Sequence, residues 1–151
     1  MKYLSILLTL TTSALAATGT LSVSYDTGYD TGSRSLNAVA CSDGVHGLET
    51  RYGYSVQSNI PNFPYIGGWN GIAGWNSASC GQCLSVTYNG KTIYVTAVDH
   101  NDQGVNLSQQ AMNDLTNGQA VQLGRVNANV QTVDFSRCKL PHAKRGVGFE
   151  A

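Results

Sequence analysis

The placement of four cysteines constrains this 151-residue chain more than any other feature. Cys41, the pair in Cys80-Gly81-Gln82-Cys83, and Cys138 all lie behind an N-terminal stretch that reads as an export signal. Residues 1–16 carry one early charge, Lys2, then a mostly apolar run from Leu4 to Leu10, and close on Ala14-Leu15-Ala16, the small-x-small pattern that a signal peptidase accepts. The mature protein is expected to begin near Ala17 and to act outside the cell. The apolar run is too short to span a bilayer, and no later segment offers about 18 uninterrupted apolar residues, so no membrane anchor is expected.

In an exported chain, an even number of cysteines reads as a disulfide framework. A thioredoxin-type centre belongs in a βαβ context that is missing around Cys80 and Cys83, and a structural zinc needs two more ligands at suitable spacing. Two disulfides are therefore expected. Four cysteines allow three pairings, and the residues alone leave all three open, although two cysteines so close in sequence reach outward more comfortably than toward each other.

About 135 mature residues make one domain, large enough to bury its own core. Without Lys2 the chain has eight basic and nine acidic side chains, with no run of either sign. Nucleic acid and anionic membranes are excluded as partners on that ground. With only 12% charged residues, the surface meets water through neutral hydroxyls and amides, which suits neutral polar ligands such as sugars.

The periodicity is that of a β protein. Thr20 to Tyr25 alternates Leu21, Val23 and Tyr25 with Ser22 and Ser24. Leu84 to Tyr88 and Thr92 to Val98 flank Asn89-Gly90, a strong hairpin signal because both turn residues must take positive φ. Ala120 to Val126 and Val130 to Phe135 read as further strands. One helix is expected, capped by Ser108, carrying Ala111, Met112 and Leu115 and ending at Asn117-Gly118. Residues 61–76 read as an irregular loop with Gly-Trp-Asn at 68–70 and again at 74–76. Trp75 is expected to pack beside the disulfides, and Trp69 to be the exposed contact.

Separate blocks then point the same way, in order: Ser24-Tyr25-Asp26; Val39-Ala40-Cys41-Ser42-Asp43-Gly44; Pro61-Asn62-Phe63-Pro64-Tyr65-Ile66-Gly67-Gly68; Gly74-Trp75-Asn76-Ser77; the Cys80 to Cys83 pair; Ala97-Val98-Asp99; and Leu115 to Ala120. Across about Leu21 to Leu140 the chain resembles the cerato-platanin family of small secreted fungal proteins. The resemblance implies a mainly β fold: a six-stranded double-ψ β-barrel related to the N-terminal domain of expansins, with small peripheral helices and disulfides Cys41–Cys80 and Cys83–Cys138. It also implies non-catalytic binding of chitin or GlcNAc oligomers, with cellulose as a second polysaccharide, expansin-like loosening of polysaccharide aggregates, and recognition by a plant receptor as an elicitor. The domain organisation expected is a signal peptide over 1–16, the barrel over 17–140 and a polar tail over 141–151. Two departures stand out: the family usually stops soon after its last cysteine, whereas this chain continues through Lys144-Arg145, and Leu84 stands where an aromatic is frequent.

Tyr25, Asp26, Ser42, Asp43, Asn76 and Asp99 form the expected carbohydrate site. Asp99 follows the apolar Ile93, Val95, Ala97 series and precedes His100-Asn101-Asp102, where a strand end delivers a carboxylate to a barrel mouth. It reads either as a turn cap or as an acceptor for a sugar hydroxyl. Hydrolysis requires a second, suitably spaced carboxyl group. Asp26, Asp43 and Asp102 lie in small polar segments poorly suited to holding a proton, so no catalytic residue is assigned. The rival readings are an interaction protein that self-associates at interfaces or is read by a receptor, and a weak glycosidase. His46, His100 and His142 are scattered, so no metal and no cofactor is expected. Asn106-Leu107-Ser108 matches the N-glycosylation pattern, with Ser108 also needed as a helix cap.

Overall fold

The computed structural model describes residues 16–141. The expected signal segment, apart from Ala16, and the expected tail, apart from Pro141, lie outside the described residues, as does His142.

Six strands form the barrel: β1 Gly19–Tyr25, β2 Ile66–Trp69, β3 Cys83–Tyr88, β4 Lys91–His100, β5 Val105–Leu107 and β6 Arg125–Val133. They close in the order β1-β5-β2-β4-β3-β6. The pairs β1–β5 and β2–β4 are parallel and the others antiparallel. The six-stranded double-ψ barrel is thus the fold of this chain. Val23, Val86, Val95, Ala97, Val105, Leu107 and Val130 fill its interior, each fully buried. Among the described residues, three short helices, α1 Leu48–Tyr52, α2 Gln109–Leu115 and α3 Ala120–Leu123, and four 3-10 turns lie around it.

The Asn89-Gly90 hairpin forms as read. Tyr88 pairs with Lys91, and the turn residues take φ of 46° and 78°, the left-handed pair that matches strand twist. Helix α2 also forms where expected: Ser108 Oγ accepts from the Ala111 amide at 3.1 Å, while Ala111, Met112 and Leu115 face the core. Asp30 adds a second cap, its two carboxylate oxygens accepting from the Gln109 and Gln110 amides at 2.7 and 2.9 Å.

Two assignments need correction. The segment from Ala120 is helical rather than extended: the Asn113 side chain accepts from the Ala120 amide at 3.0 Å, and Gly124 ends the turn at φ 66°. The strand that follows is a single one, β6, in which Val126, Ala128 and Val130 alternate inward with Asn127 and Asn129 outward. The loop reading of residues 61–76 also hides a strand, β2, buried along its whole length between β4 and β5. Its Gly67-Gly68 pair carries no strand propensity, yet at Gly67 only glycine fits. A Cβ on Gly67 would stand 2.3 Å from the Asn106 carbonyl oxygen.

The disulfides are Cys41–Cys80 and Cys83–Cys138, with Cα separations of 5.4 and 5.7 Å. The first ties the segment before α1 to the approach to β3, and the second ties the start of β3 to the C-terminal 3-10 turn, Phe135–Cys138.

Candidate functional site

The site begins at the end of β4. Asp99 is partly buried, and its carboxylate holds three donors: the Tyr29 hydroxyl at 2.9 Å on Oδ2, and the Ala40 and His100 amides, each at 2.9 Å, on Oδ1. A carboxylate offers about four lone-pair positions. Oδ1 is therefore fully engaged, and one acceptor position on Oδ2 stays uncommitted. The His100 contact is the turn cap read from the sequence, and the others make Asp99 the point where β4, the Thr27–Asp30 turn and the 39–41 segment meet. Tyr29, missed by sequence reasoning, is 5% exposed; burial, reinforced by the Asp99 carboxylate, pushes its phenol well above the ordinary range. The Arg34 guanidinium stacks over the same ring at 5.5 Å.

Asp26 is exposed and accepts from the Gly28 amide at 2.7 Å, capping the turn that carries Tyr29. It joins Asp99 only through that turn.

From Ala40 the chain runs through Cys41, whose amide bonds to the Val98 carbonyl at 3.0 Å, into the second part of the site. Ser42 is nearly buried, and its hydroxyl faces Asp43 Oδ1 at 3.3 Å. The same oxygen accepts from Trp75 Nε1 at 2.7 Å, and this hydrogen bond is the main cause that lowers the Asp43 carboxyl below its ordinary value. Asn76, at a left-handed φ of 60°, accepts from the His46 amide at 2.9 Å. The pinned indole and the Asn76 amide both press on Gly44, where a Cβ would meet Asn76 Oδ1 at 2.6 Å and Trp75 Cζ2 at 3.1 Å. Ser42, Asp43 and Asn76 are thus brought together around Trp75.

The tryptophan expectations are reversed. Trp69 is 4% exposed, the last residue of β2, with its Nε1 donating to the Ala17 carbonyl at 2.7 Å. Trp75 is 63% exposed. The two identical triplets gave no local basis for telling them apart; what separates them is the glycine pair that lets the first enter the barrel wall.

Tyr25 stands elsewhere. It packs partly against the core and borders a polar hollow of about 870 Å³ with Asn101, Asp102, Asn106 and Arg125. None of the other residues expected to bind carbohydrate lines that hollow. The glycosylation pattern falls within and just after β5: Asn106 Oδ1 accepts from Ser24 Oγ at 3.0 Å, and Ser108 Oγ is engaged by the Pro64 carbonyl as well as by α2.

His100 is more than a solvated turn residue. Its Nδ1 lies 2.5 Å from the Ile72 carbonyl oxygen and its Nε2 lies 2.9 Å from Asp102 Oδ1. Both contacts raise its pKa, the Ile72 carbonyl most. The ring fastens the end of β4 to the loop that carries Trp75.

This fold is shared with known proteins. The cerato-platanin family model matches residues 21–140. The chain belongs to the cerato-platanin family. It is 46% identical over 129 residues to the heat-stable 19 kDa antigen of Coccidioides immitis, covering 85% of this chain and 88% of that one. The crystal structure of cerato-platanin 1 from M. perniciosa superposes with a TM-score of 0.75 at 47% identity, over 78% of this chain and 98% of that one. The solution structure of the fungal elicitor cerato-platanin gives 0.71 at 41% identity, over 78% and 95%. Among the described residues no helix is long and apolar enough to cross a membrane.

Proposed function

We propose that this protein is a secreted, non-catalytic carbohydrate-binding member of the cerato-platanin family. In this reading it holds chitin or related GlcNAc oligomers against the Trp75 face and loosens packing between polysaccharide chains. The observation that carries the reading is an indole that is exposed yet fixed in orientation by Asp43, with Ser42 and Asn76 beside it. A sugar ring needs such a set: a flat apolar surface for its C–H face and amide or carboxylate groups for its hydroxyls. Asp99 contributes its remaining acceptor position and holds the segment that leads to Ser42 and Asp43. Loosening follows if the face prefers a single or strained chain over an ordered aggregate, since a ligand shifts only an equilibrium whose states it binds differently. Asp43, with its pKa lowered, is unsuited to the role of general acid, which favours a non-lytic mechanism.

The test is a pull-down of the oxidised protein on insoluble chitin and on cellulose, with reducing ends counted in the same tubes. Binding without new reducing ends is expected, and Trp75→Ala should weaken it roughly tenfold, about the scale of one aromatic stacking contact. Unchanged binding by Trp75→Ala removes the platform, and reducing ends that vanish in Asp99→Ala would make this an enzyme.

A second reading has its own support. Val45, next to Gly44 in the chain, and Trp75, which packs against Gly44, are two of the large apolar residues most exposed and suit contact with a receptor or a second copy. A relative described as a fungal elicitor extends this reading to defence signalling in plants. Defence signalling that survives Trp75→Ala while chitin binding is lost would separate the two roles.

A further inference from the structure

A second hollow, of about 320 Å³, opens between residues 61–65, the first half of β4 and the C-terminal 3-10 turn. That volume is at the lower end of the range of small-molecule sites. Its walls are the rings of Phe63, Tyr65 and Tyr94 with Ile93. Asp114, the carboxylate on its border, is already engaged: Lys91 Nζ stands 2.6 Å from Oδ1, and the Tyr65 hydroxyl donates to Oδ2 at 2.9 Å. Arg137 and Lys139 also line the hollow, and neither forms an ion pair or a side-chain hydrogen bond with a described residue. The Arg137 guanidinium lies over the Tyr94 ring at 5.5 Å, and no acceptor among the described residues meets its N–H groups. A concave aromatic lining with two uncommitted cations, on a chain of almost no net charge, selects an anion that also has a flat apolar face.

We propose that this hollow is a binding site for small aromatic carboxylates. The ring sits among Phe63, Tyr65 and Tyr94, and the carboxylate meets the Arg137 fork with Lys139 beside it. The site is independent of the Trp75 face.

The experiment is an amide chemical-shift titration of the full chain with 4-hydroxycinnamate, with its neutral amide and with acetate. Saturable shifts are expected at Ile93, Tyr94 and Lys139 with 4-hydroxycinnamate, and at least tenfold weaker binding of the other two probes. Arg137→Gln and Lys139→Gln, both surface changes, should each weaken binding by about tenfold, and the wild-type comparison of probes stands even if a variant misfolds. Equal binding of the amide or of acetate, shifts clustered elsewhere, or no saturation overturns the assignment. Binding that appears only after removal of residues 142–151 overturns it as well, because the chain's own C-terminus would then be the occupant.

Discussion

At the scale of single residues, His100 joins the end of β4 to the loop that carries Trp75. Both ring nitrogens face acceptors, so only the imidazolium satisfies both at once. A histidine with its folded pKa raised contributes stability that is fully present below its unfolded pKa of about 6.5 and is lost as pH rises through the folded value. The protein should therefore lose stability as pH climbs upward from about 6.5, and His100→Ala should flatten that slope in urea melts taken across the range. Tyr29 makes a second case. Tyr29→Phe removes one of the three donors to the Asp99 carboxylate and is expected to cost about 1.5–3 kcal/mol in the same melts, as for hydrogen bonds to charged groups. Neither the Tyr29–Asp99 bond nor the His100–Ile72 contact was legible in the sequence, because each joins residues 28 or more positions apart. The cluster of Ser42, Asp43 and Asn76 was legible only as a set of polar types. That they converge on Trp75 depends on the left-handed backbone of Asn76 and on the space left by Gly44.

At the scale of elements, legibility follows how local the determinants are. The β3–β4 hairpin and α2 carry their instructions within a few residues, in Asn89-Gly90 and in the Ser108 cap, and both were read correctly. Strand β2 carries none, since its place between β4 and β5 is decided by what the barrel requires of a closely approached strand. Gly67→Ala tests this point. The added methyl has no room against the Asn106 carbonyl, and a loss of about 3 kcal/mol is expected in thermal or urea unfolding, near the upper end for overpacking. A loss under about 0.5 kcal/mol would mean that β2 has slack the geometry does not suggest. Helix α3 was misread for the complementary reason: Val121 and Leu123 have strand-like composition, but the Asn113 side chain and Gly124 set the backbone.

At the scale of the whole molecule, the two disulfides close loops of 39 and 55 residues in sequence separation. The chain-entropy treatment assigns each about 4 kcal/mol. Together they match a large share of the roughly 5–15 kcal/mol that separates a folded domain from its unfolded chain. Reduction should therefore lower the melting temperature sharply, and a thermal scan with and without reductant reads this directly. A shift of only a few degrees would place the stability in the barrel core instead. The closed strand order has a consequence for assembly. Each of the six described strands has a neighbour on both sides, so none is an edge along its whole length, and the one-sided stretches, such as residues 91–95 of β4, are short. A film or oligomer made by this protein is then expected to consist of intact barrels touching chiefly through side chains, and it should dissolve back to native monomers rather than mature into fibrils.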